Sequence, residues 1–89
     1  MNFDNFIEKR RVDNGLHNMI LELSADEYLE YYDELNEDYA MNILDSYLEY
    51  RGDDGRPSDV EIEYDGEYDI VRIKANIHYV GNDHTTYRM

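Results

Sequence analysis

Asp26, Glu30, Asp33 and Glu37 recur every three or four residues, Glu27, Glu34 and Asp38 stand beside them, and no Lys, Arg or His falls between Ala25 and Tyr50. On a helix that spacing stacks carboxylates about 5 to 6 Å apart along one face. A second series, Asp59, Glu61, Glu63 and Asp65, alternates with Val60, Ile62 and Tyr64. On a strand its members share one face at steps of about 6.6 Å, and Glu67 and Asp69 extend the series around a turn. A duplex presents one phosphate about every 3.4 Å along each strand, so rows of this kind can stand in for a nucleic-acid backbone. The plainer reading is a solvated helix face and the wet side of a half-exposed sheet. Ordinary solvated faces, however, interleave both signs and gain from i, i+4 pairs, and these rows do not.

Other chemistry is poorly provided for. Hydrolytic carboxylate pairs need a pocket that raises one pKa, and 89 residues leave little room for one, so no enzymatic activity is expected. Asp53, Asp54, Gly55 and Asp59 supply fragments of a calcium loop, but the alternating Asp-x-Asp-x-Asp-Gly order and its terminal Glu are missing. A cation site around Asp53, Asp54 and Asp59 is left open on that ground. His17, His78 and His84 lack ligand spacing, there is no Cys, and no cofactor is expected. Arg51-Gly52-Asp53 reads as a helix end followed by a turn.

The aromatic content carries a second signal, with ten Tyr beside two Phe and no Trp. Tyr28, Tyr32 and Tyr47 fall on apolar stripes and are assigned to the core. Tyr31, Tyr39 and Tyr50 fall off them, next to acids. Exposed Tyr offers rigid apolar area, a hydroxyl and a ring face that attracts guanidinium, so Tyr31 and Tyr39 join the candidate contact residues.

The acidity is regional. Between Glu22 and Asp69 eighteen Asp and Glu stand against Arg51 and Arg56 alone, a local charge of −16 in 48 residues. The first 21 residues balance, and residues 70–89 carry +2. Two unit charges 10 Å apart in water repel by about 0.4 kcal/mol before salt screening, and dozens of pairs sum to a few kcal/mol. A domain of this size is stable by only about 4 to 13 kcal/mol. Such a field either sits in screening salt or meets something basic. It also repels nucleic acid and anionic lipid, so direct binding to either is not expected. With no Cys, no run of 18 apolar residues and no apolar stretch of signal length near Met1, the expected location is cytoplasmic.

The elements that must position these rows follow from periodicity. Phe3, Phe6 and Ile7, followed by the stop signal Asn14-Gly15, predict a helix over residues 3–13. Leu16, Met19, Ile20 and Leu23 continue at helical spacing. Ser24 with Glu27 forms a capping-box pattern that opens a third helix with the stripe Ala25, Tyr28, Leu29, Tyr32 and Leu35. Asn36 caps a fourth, with Glu37 and Asp38 in its first turn, the stripe Ala40, Ile43, Leu44, Tyr47 and Leu48, and an end at Arg51-Gly52. A loop follows at 52–58. Val60, Ile62 and Tyr64 predict a strand, and a three-residue turn Asp65–Glu67 pairs Ile62 with Ile70 and Tyr64 with Tyr68. Beyond Ile70 the apolar phase moves to odd positions, which suggests a bulge or a strand covered on both sides. Gly81-Asn82 is expected to turn a third strand through Thr85–Tyr87. The expected fold is therefore a single α+β domain, 1–89: about four short N-terminal helices over 3–51, then an antiparallel hairpin or three-stranded meander over 59–87.

In size, regional acidity, Tyr content and lack of Cys, the chain resembles the small acidic inhibitors of phages and mobile elements that imitate DNA and block CRISPR or restriction nucleases. The resemblance implies an anti-CRISPR or antirestriction type of protein that binds stoichiometrically, without a cofactor, to a basic nucleic-acid-binding protein in a bacterial host. An immunity protein or antitoxin for a basic nuclease is the nearest alternative, and an ordinary halophile domain whose acids hold water is another. Pairing of two copies across a sheet edge is left open.

Overall fold

The computed structural model describes residues 1–79. A 3-10 turn at Phe3–Asn5 leads into strand β1 (Ile7–Asp13), β2 (Leu16–Ser24), helix α1 (Ala25–Tyr31), helix α2 (Glu37–Tyr50), β3 (Arg56–Asp65) and β4 (Ile70–His78). The four strands form one antiparallel sheet in the order β1-β2-β4-β3. The fold is thus α+β with two helices in the middle of the chain and a hairpin on either side, not four helices followed by strands.

The correction falls on residues 3–24. Asn14-Gly15 does not stop a helix; it is a two-residue hairpin loop between the paired residues Asp13 and Leu16. Both loop residues have positive φ, 54° and 81°, the backbone whose twist matches the flanking strands. Leu16, Met19, Ile20 and Leu23 fit a helix by spacing alone, but Met19, Leu21 and Leu23 also alternate, and that period-2 set is the buried one. Strand β4 decides between the two. Its Val71, Ile73, Ala75 and Ile77 are buried, and β2 and β3 supply its two neighbours.

The chain passes from β2 into α1 without a loop. Ser24 ends the strand and caps the helix, its hydroxyl accepting from the Glu27 N–H at 3.1 Å. The Glu27 carboxylate does not complete a capping box; it accepts from the Asn2 N–H at 3.0 Å and ties the N-terminal segment to α1. Helix α2 follows the expectation closely. Asn36 caps it through the Tyr39 N–H at 2.8 Å, the stripe Ala40, Ile43, Leu44, Tyr47 and Leu48 is buried, and Gly52 beyond its end has φ 69°.

The helices cover one face of the sheet. Phe6, Met19, Leu21, Leu23, Val71, Ile73, Ala75 and Ile77 meet the helical stripe there in a single core. The opposite face carries Lys9, Arg11, Glu22, Arg72, Lys74, Glu61, Glu63 and Asp65, as the strand registers dictate.

The second hairpin also differs from expectation. Ile62 pairs with Ile73, Tyr64 with Val71 and Asp65 with Ile70, so four residues, 66–69, form the turn. This register puts the buried odd residues of β4 opposite Ile62 and Tyr64. The Asp65 carboxylate holds the turn by accepting from the Glu67 N–H at 3.0 Å and the Tyr68 N–H at 3.4 Å. An irregularity is present, but on β3 between Ser58 and Glu61, where Asp59 has φ 52°. With Pro57 it blunts this edge of the sheet. The loop before β3 shortens accordingly, since the strand begins at Arg56. The expected strand Thr85–Tyr87 lies outside the described residues.

Candidate partner-binding surface

The two carboxylate rows meet different fates. On the open sheet face Glu22 stands between Arg72 at 2.9 Å and Lys9 at 3.5 Å, Asp65 pairs with Arg72 at 3.4 Å, and Glu63 pairs with Lys74 at 2.7 Å. Glu22 is the one buried charged residue among those described. The hydrogen bond from Arg72 outweighs its burial and, with Lys9, holds its carboxyl below the ordinary Glu range. Lys74 lowers Glu63 in the same way. Asp59 accepts from the Asn76 amide at 2.9 Å. Of the hairpin candidates, therefore, Glu63 and Asp65 belong to a sheet-bracing network, Asp65 doubling as the turn cap. Glu61 lies outside the ion pairs, and Glu67 and Asp69 sit on the exposed turn.

At the sheet's other end Arg10 gathers Glu8 at 3.2 Å and Asp53 at 3.4 Å, and donates to the Tyr79 hydroxyl. Burial acts to raise the Asp53 carboxyl, but the Gly55 N–H, the Tyr79 hydroxyl and Arg10 outweigh it and leave it lowered. Tyr47 donates to Glu8 at 2.8 Å; burial first, and this bond to a carboxylate second, push its hydroxyl up to about 12. Asp53 and Asp59 are thus held by other partners, and no group of three or more His, Cys, Asp and Glu among the described residues is placed to hold a metal ion.

The helical layer is built otherwise. Every ion pair among the described residues involves a carboxylate of a strand or of the Asp53 loop. Asp26, Glu27, Glu30, Asp33, Glu34, Glu37 and Asp38, all proposed from sequence, lie on α1, the linker and the first turn of α2, and no cation among the described residues is within ion-pair distance of them. All but the half-buried Glu27 are exposed. Asp45 and Glu49 extend the row along α2 with Asp38, at steps of seven and four residues, or about 10 and 6 Å along the axis. Neither is among the candidates named from sequence, although their spacing and the lack of any Lys or Arg on α2 are the signal that marks them.

Of the two tyrosines proposed for contact, Tyr31 is 53% exposed. Tyr39 is half-buried and stacks on Tyr32 at 4.5 Å, in a row continued by Tyr28, so it braces the helix junction as well as lining the surface. Leu29 and Leu35, expected in the core, are 59% and 42% exposed. Helix α1 is only seven residues long and turns its buried side at Ala25 and Tyr28, which leaves Leu29 at the margin.

No protein-family model, curated protein or solved structure matches the chain. No helix among the described residues is long and apolar enough to cross a membrane.

Proposed function

We propose that the protein is a non-enzymatic inhibitor whose helical layer occupies the cationic channel of a nucleic-acid-binding protein, a CRISPR or restriction nuclease being the leading class. One observation carries the reading: on the open sheet face Lys9, Arg72 and Lys74 are paired with strand carboxylates and Arg11 and Arg56 add further positive charge beside them, while nine acids from Asp26 to Glu49 share a layer with no cation in its sequence. A fold whose acids served only hydration would have no reason to neutralise one face and leave the other bare. An unneutralised face of this charge draws a basic partner at a rate and affinity that fall as salt is added.

The test is affinity capture from bacterial lysate with the wild-type chain, with the variant Glu30→Lys/Asp45→Lys/Glu49→Lys, and with Glu61→Lys as a sheet control. The expected result is capture of a nuclease or other nucleic-acid-binding protein by wild type and Glu61→Lys, released by salt, and its loss with the triple variant. Equal capture by all three would overturn the assignment of the helical layer.

A further inference from the structure

Leu29 of α1, Leu35 of the linker and Tyr64 at the end of β3, the last 50% exposed, do not scatter over the surface. They line one groove of about 310 Å³ floored by Ala25, Tyr28 and Val71, all buried. Its walls are fixed. The Tyr28 hydroxyl donates to the Glu34 carbonyl, the Ala25 N–H donates to the Asp69 carbonyl at 3.0 Å, and the Tyr64 hydroxyl donates to the Asp69 carboxylate at 2.7 Å. Four carboxylates, Asp26, Asp33, Glu34 and Asp69, rim the groove, and among the described residues no Lys, Arg or His lines it.

An apolar trough inside an anionic rim is complementary to one arrangement above others: a large apolar side chain flanked one helical turn away by Lys or Arg. We propose that the groove receives the apolar face of a basic amphipathic helix of the partner protein. This rests on the functional reading above and sharpens it. A bare imitation of phosphate would attract any polycation, whereas an apolar anchor seated among carboxylates selects a protein segment with both features, as anchors in desolvated pockets do at other interfaces.

Two synthetic peptides of about four helical turns and identical Leu/Lys composition test it, one with all leucines on one face and one with them dispersed. Binding to the full chain is measured by fluorescence anisotropy at about 150 mM salt. The facial peptide is expected to bind about tenfold tighter or more, and Leu29→Ser/Leu35→Ser to abolish that advantage while leaving the dispersed peptide's affinity unchanged. Should the double variant lose its circular dichroism signature, methyl chemical shifts of Leu29 and Leu35 in the wild-type chain decide, with movement expected for the facial peptide alone. Equal binding of both peptides to wild type, or an advantage that survives the double variant, overturns the groove proposal. If both peptides bind equally and release with salt, the acidic-layer reading stands without the groove; if neither binds, both fall. A concentration-dependent dimer in sedimentation that Leu29→Ser/Leu35→Ser dissolves overturns the proposal in favour of a second copy of this chain as the occupant.

Discussion

Glu22 is the residue through which the sheet's charge balance runs. It accepts from Arg72 and faces Lys9 from a position almost closed to water. Glu22→Gln keeps the shape and removes the charge, and is expected to lower unfolding free energy by about 1 to 3 kcal/mol at neutral pH in urea titrations. Its folded pKa is lowered, so the stability it contributes is full above its ordinary value of 4.5 and is lost as pH falls through the folded value. The difference between wild type and Glu22→Gln should therefore shrink below about pH 4.5. A gap that persisted unchanged at pH 3 would place the effect in packing instead. Gly55 is set by space rather than charge. A Cβ there would meet Ile77 Cγ2 at 2.3 Å, and Ile77 is buried in the core. Gly55→Ala should cost about 1 to 3 kcal/mol by the same measurement.

Among the elements, α2 was legible in the sequence and the first hairpin was not. Helix α2 declares itself because its signals are local and agree: Asn36 as cap, acids in the first turn, one apolar stripe, Gly52 at the end. Asn36→Ala should cost about 1 kcal/mol. In residues 7–24 the local signals conflict. Asn-Gly serves both helix end and hairpin, and Leu16, Met19, Ile20 and Leu23 satisfy a period of 3.6 while Met19, Leu21 and Leu23 satisfy a period of 2. The tie is broken by β4, some fifty residues on, whose flank β2 covers. A Cβ at Gly15 has open space around it, so Gly15→Ala is expected to cost only the left-handed backbone, about 1 kcal/mol in urea titrations. The acid rows were legible as counts and spacings, but their pairing was not. Lys9, Arg72 and Lys74 reach Glu22 and Glu63 only once strands distant in sequence are adjacent, whereas no folding event could bring a cation from within residues 25–50, which hold none.

For the whole molecule the result is a polarity: a helical layer of like charges on one side and a largely self-neutralised sheet face on the other. Repulsion within the helical layer should make urea midpoints rise as sodium chloride increases from about 0.05 to 0.5 M, by on the order of 1 kcal/mol in stability. Glu30→Lys/Asp45→Lys should flatten that rise. A fold adapted to hydration in brine would instead unfold at the low-salt end, whereas this one is expected to stay folded there by circular dichroism. The claim that the helical layer takes the place of nucleic acid is met most directly by competition for the captured partner. Duplex DNA is titrated into the complex while the apparent Kd of the protein for that partner is followed. The account predicts that the apparent Kd climbs in proportion to DNA without limit, as mutual exclusion requires. A plateau, or a complex that holds protein, partner and DNA together, would contradict it.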